Sequence, residues 1–305
     1  MIEVKNLVKY YDDGAVKAVD DISFVVGKGD IVGFVGPNGA GKSTTLRMLT
    51  GYTVPSSGIV NINGINILDS GSDAKQNIGY LPESAALYQN MKLIEFLNFI
   101  VEARSLPKCF AKERINYVID KLGLKEKANQ TIGSLSKGYR QRVGLAQAII
   151  HDPEIIILDE PTSGLDPNQV MEIRKLIQEI SSSKTVIFST HALREVEAVC
   201  SKVIILNRGK VALCANKDEL ESVRSKNITR VVLKGDSNIS KVFRDADQFR
   251  VVKEKEEEGN VTLILESLFD IRGAVFELAQ QNNFVILEFF LEKESLEKIF
   301  KSLTR

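Results

Sequence analysis

Three textures of apolar and polar positions succeed one another along the chain. In the first, residues 1 to about 60 read as short strands separated by turns, and Ile31-Val32-Gly33-Phe34-Val35 reads as a buried strand running into a glycine-rich loop. Lys42–Leu49, directly after that loop, has helical character. In the second texture, Leu93, Ile94, Phe96, Leu97, Ile100 and Val101 form one wide apolar helical face, and Ile115, Val118, Ile119 and Leu122 form another. This predicts a mostly helical subdomain at about 84–150 inserted into an α/β body. Beyond it, Ile155-Ile156-Ile157-Leu158, Val186-Ile187-Phe188 and Val203-Ile204-Ile205-Leu206 are apolar runs of strand length. Fully apolar strands of this kind suit a parallel sheet covered on both faces.

The third texture begins near residue 225. Strands are expected around Val231, Val251, Leu263 and Ile286, and helices near 239–244, 270–281 and 294–303. The order β-α-β-β-α-β plus a final helix is the split βαβ, ferredoxin-like arrangement. The run Lys253-Glu254-Lys255-Glu256-Glu257-Glu258-Gly259-Asn260 is expected as the solvated turn of its hairpin. Two domains are therefore expected, 1–224 and 225–305.

Composition narrows the classes. The 305 residues are 44% hydrophobic and 26% charged, enough for two cores. Lysine plus arginine equals aspartate plus glutamate at 40 each, so no global field attracts nucleic acid or anionic lipid. Cys109, Cys200 and Cys214 lie far apart and read as reduced thiols. The start lacks the pattern of a signal peptide, and no stretch approaches the roughly 18 apolar residues of a membrane span. Any service to a membrane is expected from its side.

Chemistry concentrates in three places. Gly36-Pro37-Asn38-Gly39-Ala40-Gly41-Lys42-Ser43 fits GxxxxGK[ST] between an apolar strand and a helix. Small residues let backbone N–H groups close around phosphate oxygens, and the helix N-terminus adds partial positive charge. Lys42 is expected to reach the β- and γ-phosphates and the Ser43 hydroxyl to ligate Mg²⁺, with Thr44 beside it. Second, Ile155-Ile156-Ile157-Leu158-Asp159-Glu160 ends an apolar strand in two carboxylates at the carboxyl edge of a sheet. There Asp159 can hold the Mg²⁺ shell and Glu160 can accept a proton from the attacking water, although such a pair could also be an exposed strand end. Third, Leu135-Ser136-Lys137-Gly138-Tyr139 opens a helix with a serine and a glycine, which alone is only an N-cap.

Taken in order with Ser163-Gly164-Leu165-Asp166 and Ser189-Thr190-His191, these motifs resemble the nucleotide-binding domain of ABC ATPases over residues 1 to about 220. The resemblance implies an α/β P-loop NTPase of ABC type with an inserted helical subdomain, and the pattern beyond it adds the small C-terminal α+β domain. It implies that Tyr11 stacks on adenine and that LSKGY is the signature motif, with Ser136 and Gly138 facing a γ-phosphate. ATP would be sandwiched between one subunit's phosphate loop and another's signature. Asp166 would belong to the loop crossing that interface, and His191 would contact the γ-phosphate and hold the lytic water; His151 matches no motif and is expected to be structural.

Two positions depart from the family pattern. Lys137 and Tyr139 replace a glycine and the final glutamine of the usual LSGGQ, and Glu83 stands where a loop glutamine is usual. A carboxylate at Glu83 can still bind Mg²⁺-ligated water but cannot donate as an amide does. These departures and the tail resemble ATPase subunits of bacterial drug, polysaccharide and gliding-motility exporters. The implied partners are a transmembrane permease on a separate chain and a second ATPase subunit, most simply a homodimer, at the cytoplasmic face of the membrane. The alternative is a soluble ABC ATPase acting on nucleic acid or ribosomes. It is disfavoured by the neutral charge, the single cassette and the spacing of about ninety residues between phosphate loop and signature.

Overall fold

A computed structural model describes residues 1–69, 73–217, 219, 227–236, 238–257, 259–292 and 300. They divide into two compact units, Met1–Asn216 and Lys217–Leu303. The boundary expected at 224/225 falls on residues outside those described, and so does the expected helix at 294–303 apart from residue 300.

Along the first unit run β1 (Ile2–Tyr11), β2 (Val16–Val26), β3 (Ile31–Val35), α1 (Lys42–Leu49), β4 (Ser57–Ile62), β5 (Ile65–Asn66), α2 (Asp73–Gln76) and β6 (Ile78–Leu81). Then follow α3 (Leu93–Ala103), α4 (Lys108–Lys121), α5 (Lys137–Ile149), β7 (Ile155–Leu158), α6 (Pro167–Ser181), β8 (Thr185–Thr190), α7 (Leu193–Val199), β9 (Lys202–Asn207) and β10 (Lys210–Asn216). Strands β1 and β2 are ten and eleven residues long, longer than the short strands expected. Their pairing register shifts three times between Val4 and Tyr10, and such irregularities break the period of two that marks a long strand.

Six strands form one sheet in the order β10-β9-β3-β8-β7-β6, and all its pairings except β10 with β9 are parallel. A four-stranded sheet, β2-β1-β4-β5, is antiparallel. Its inward residues Ile2, Val4, Leu7 and Val60 share one core with Leu46 and Leu49 of α1 and with Val32, Phe34, Ile157 and Ile187 of the parallel sheet. At Gly79 a side chain would stand 2.0 Å from the Ala148 carbonyl, so glycine is what lets α5 lie directly on β6.

His151, just beyond α5, is held by that contact. Its Nε2–H donates to the Ile78 carbonyl at 3.1 Å, and its buried Nδ1 has no partner. Burial above all, helped by the nearby Arg104, Lys184 and Arg114 cations, holds its pKa down at about 4 from an ordinary 6.5. Between those values the unfolded chain binds the proton and the native one does not. This contribution to stability is therefore intact above 6.5 and declines as pH falls toward about 4. With His151→Gln, urea midpoints taken near pH 7 and near about pH 5 should lie closer together than in the parent chain. An unchanged gap would refute the assignment.

The second unit carries β11 (Asn227–Lys234), β12 (Arg250–Glu257), β13 (Asn260–Ser267) and β14 (Val285–Glu292), with helices at Asn238–Arg244 and Arg272–Gln281. Strand order β12-β13-β11-β14, all antiparallel, is the split βαβ arrangement. Val231, Leu233, Leu263, Leu265, Phe243 and Val275 form its core. The charged run at 253–260 corrects the expectation, because Lys253 to Glu257 belong to β12 and do not form the turn. This strand is at the sheet edge, where exposed charges are compatible with pairing on one side and deter pairing on the other.

Candidate functional site

Strand order decides what meets. Adjacent in the parallel sheet, β3, β8, β7 and β6 deliver the loops that follow them to a single carboxyl edge. After β3 comes the glycine-rich turn. Gly41 has φ +98, and a side chain there would stand 2.5 Å from the Ala18 carbonyl, so only glycine fits between the turn and the start of α1. Lys42 is buried, and its ammonium donates to the Gly36 carbonyl at 2.8 Å and the Pro37 carbonyl at 3.4 Å.

After β7 come Asp159, which is completely buried, and Glu160. Asp159 Oδ1 accepts from Ser43 Oγ at 3.0 Å and from Ser189 Oγ at 2.7 Å. Ser189 Oγ in turn accepts from the Glu160 amide at 2.8 Å. Glu160 sits at φ +49, a left-handed backbone that costs a non-glycine residue on the order of 1–3 kcal/mol and needs surroundings that enforce it. Its Oε1 lies 3.7 Å from Lys42 Nζ, and its Oε2 accepts from His191 Nδ1–H at 2.9 Å. The His191 ring itself is 64% exposed, turned toward solvent from the end of β8.

These groups border a cleft of about 900 Å³ lined by Tyr11, Lys17, the residues from Asn38 to Thr44, Glu83, Glu160, Ser163 and His191. Gly36 and Pro37 join it through Lys42, and Asp159 through Ser43. Ser136 and Gly138 are not among the lining residues. Ser136 instead caps α5, accepting from the Tyr139 amide at 3.4 Å, and Gly138 packs against Gln169 of α6. Asp166 caps α6 through the amides of Asn168 and Gln169, both at 3.0 Å. Tyr139 lies between two cations, with Lys127 and Arg142 each 5.6 Å from its ring centre.

The donors fit a small divalent cation bound together with phosphate. Asp159 Oδ2 is buried without a hydrogen-bond partner, beside the Ser43 hydroxyl. Hard oxygen donors of this kind suit Mg²⁺. Among the described residues no group of three or more His, Cys, Asp or Glu could hold a metal alone, so most of the shell would come from phosphate and water. Ser189 and Ser163 stand in the sequence motifs, but neither was assigned a role of its own from sequence. The Ser189 hydroxyl could have been suspected from its place two residues before His191, but its link to the Asp159 carboxylate and the Glu160 amide exists only once β8 lies beside β7.

A strand, a glycine-rich turn and a helix N-terminus holding a buried lysine, beside carboxylates from a neighbouring parallel strand, define a P-loop nucleoside triphosphatase. Comparison with known proteins narrows the class. The family model described as ABC transporter matches residues 19–163. The ABC transporter ATP-binding protein NatA of Bacillus subtilis is 38% identical over 221 residues, covering 72% of this chain and 90% of that one. The bacitracin transport ATP-binding protein BcrA of Bacillus licheniformis is 32% identical over 305 residues, covering 99% and 97%. A solved dimeric ATP-binding cassette in a post-hydrolysis state with ADP and Pi superimposes with TM-score 0.65 at 25% identity, covering 71% and 98%. The chain belongs to the ABC transporter ATP-binding proteins, and it binds and hydrolyses ATP.

Proposed function

We propose that the chain is the ATPase subunit of an exporter, and that two copies close on two ATP molecules to drive a separate transmembrane permease. The exporter reading is supported by relatives named for bacitracin transport, linearmycin resistance and probable multidrug transport. Among the described residues no helix is long and apolar enough to cross a membrane, in keeping with a permease on another chain and a peripheral place at the cytoplasmic face. In this reading the first unit is the ATPase domain and the second an accessory domain.

Within the cleft, Tyr11 receives the adenine, and the backbone N–H groups from Asn38 to Thr44 receive the phosphates. Lys42 exchanges the Gly36 and Pro37 carbonyls for β- and γ-phosphate oxygens. Ser43 and Asp159, with Glu83 across the cleft, would hold Mg²⁺, which supplies positive charge to the polyphosphate when bound. Glu160 orients a water and takes its proton as the water oxygen bonds to the γ-phosphorus, while the bond to the bridging oxygen breaks and ADP leaves. His191 keeps Glu160 aimed and meets the γ-phosphate.

The observation that carries the paired arrangement is the separation of the signature from the cleft. Ser136 and Gly138 crown a helix N-terminus that does not serve their own chain's phosphate loop, so its anion site is left for a second copy. With a non-hydrolysable ATP analogue and Mg²⁺, the chain should elute from a sizing column as a dimer. Ser136→Glu, which sets a negative charge at that helix end, should elute as a monomer that still retains the analogue. A parent chain that stays monomeric at saturating analogue would overturn the sandwich.

A further inference from the structure

A second buried carboxylate stands behind the Glu160–His191 pair. Glu195, in the first turn of α7, is only 7% exposed. Carboxylates are rarely buried to that degree unless their charge is held by donors. Its Oε2 accepts two hydroxyl hydrogen bonds, from Thr162 Oγ1 and from Thr190 Oγ1, each at 3.0 Å. Thr162 follows Glu160 by two residues and Thr190 directly precedes His191. The Thr190 hydroxyl oxygen also accepts from the Ala192 amide at 3.0 Å, which leaves its proton directed at Glu195.

With the 2.9 Å contact between His191 and Glu160, these bonds close a circuit from Glu160 through Thr162, Glu195, Thr190 and His191 back to Glu160. One buried atom thus grips both chain segments whose spacing sets that contact. We infer that Glu195 is a positioning residue for hydrolysis: by tying the loop after β7 to the end of β8, it holds Glu160 and His191 in register over the attacking water. The inference rests on Glu160 and His191 acting as proposed above. Glu195 itself does not line the cleft, so nucleotide retention should not depend on it.

The test compares Glu195→Ala, Glu195→Gln and Thr162→Val in the full chain, with kcat, KM for ATP and retention of a fluorescent ATP analogue measured for each. Glu195→Ala should lower kcat by about ten- to a hundred-fold, the scale of a small misplacement of a catalytic group, with KM and retention within about threefold of the parent. Glutamine keeps the length, and its amide oxygen can still accept both hydroxyl protons, so Glu195→Gln should restore kcat to within about threefold. Thr162→Val should lower kcat alone but add nothing in the Glu195→Ala background.

Parental kcat in Glu195→Ala, a fall in retention matching the fall in kcat, or failure of glutamine to restore kcat would each overturn the inference. Should Glu195→Ala not fold, Thr162→Val and Thr190→Val carry the test, and parental kcat in both would overturn it. Glu160→Gln is the control. Parental turnover there removes the underlying reading, whereas loss there with parental turnover in Glu195→Ala removes the positioning role alone.

Discussion

Glu160→Gln is expected to cut ATP turnover by about 10²–10⁴-fold, the range for removing a positioned general base, while ATP retention stays within a few-fold of the parent. The contrast follows from the geometry. Glutamine can still accept from His191 Nδ1–H through its amide oxygen, so the side chain keeps its place, but it cannot take a proton from water at neutral pH. The left-handed backbone at this position is enforced by Ser189, whose hydroxyl oxygen accepts the Glu160 amide, and that restraint does not involve the side chain. Lys42, relieved of a carboxylate 3.7 Å away, becomes more available to phosphate. Phosphate release and retained nucleotide, measured on the same preparation, separate the two effects. Turnover within tenfold of the parent would show that the base is another group.

Lys42→Ala is expected to act on the other side of that contact, weakening ATP retention by about 10- to 150-fold and removing turnover with it. Its ammonium is the buried cation that lines the cleft, and it is held by the carbonyls of Gly36 and Pro37. Charge-assisted hydrogen bonds to phosphate are worth about 1.5–3 kcal/mol, which converts to that loss in affinity. Alanine also leaves Glu160 buried beside an uncharged neighbour, so part of the loss in turnover arises at the base. Arginine should not restore the parent, because a planar guanidinium does not fit a loop that closes on a compact ammonium. Calorimetric titration with Mg-ATP reads the affinity directly, and parental affinity in Lys42→Ala would contradict the placement of the phosphates.

Much of this architecture was legible in the sequence for a local reason. A buried parallel strand, a glycine turn and a helix start are contiguous at 31–49, so period, small residues and a lysine–serine pair appear within one short window. The apolar strand ending in Asp159 and Glu160 is equally local, as is the alternation that marks the C-terminal sheet. Other features had no local mark. Charged residues at 253–257 look like a turn by composition, and only the neighbouring strand on one side turns them into an edge. Ser189 stands in a motif but has no visible partner, and Glu195 has no mark at all, until β8 pairs with β7.

By itself, then, the sequence determined most of the segments that become strand, turn and helix, the charged edge strand excepted, and that a nucleoside triphosphate would meet a glycine-lined loop, because burial period and turn chemistry act between near neighbours. Tertiary structure alone decided that β3, β8 and β7 lie side by side. From that order come the contact of Glu160 with a histidine 31 residues away, the serine that joins the Asp159 carboxylate to the Glu160 amide and the buried glutamate behind them. Strand order is set by how crossover helices pack over the whole sheet, a global balance of burial that no short window of residues contains.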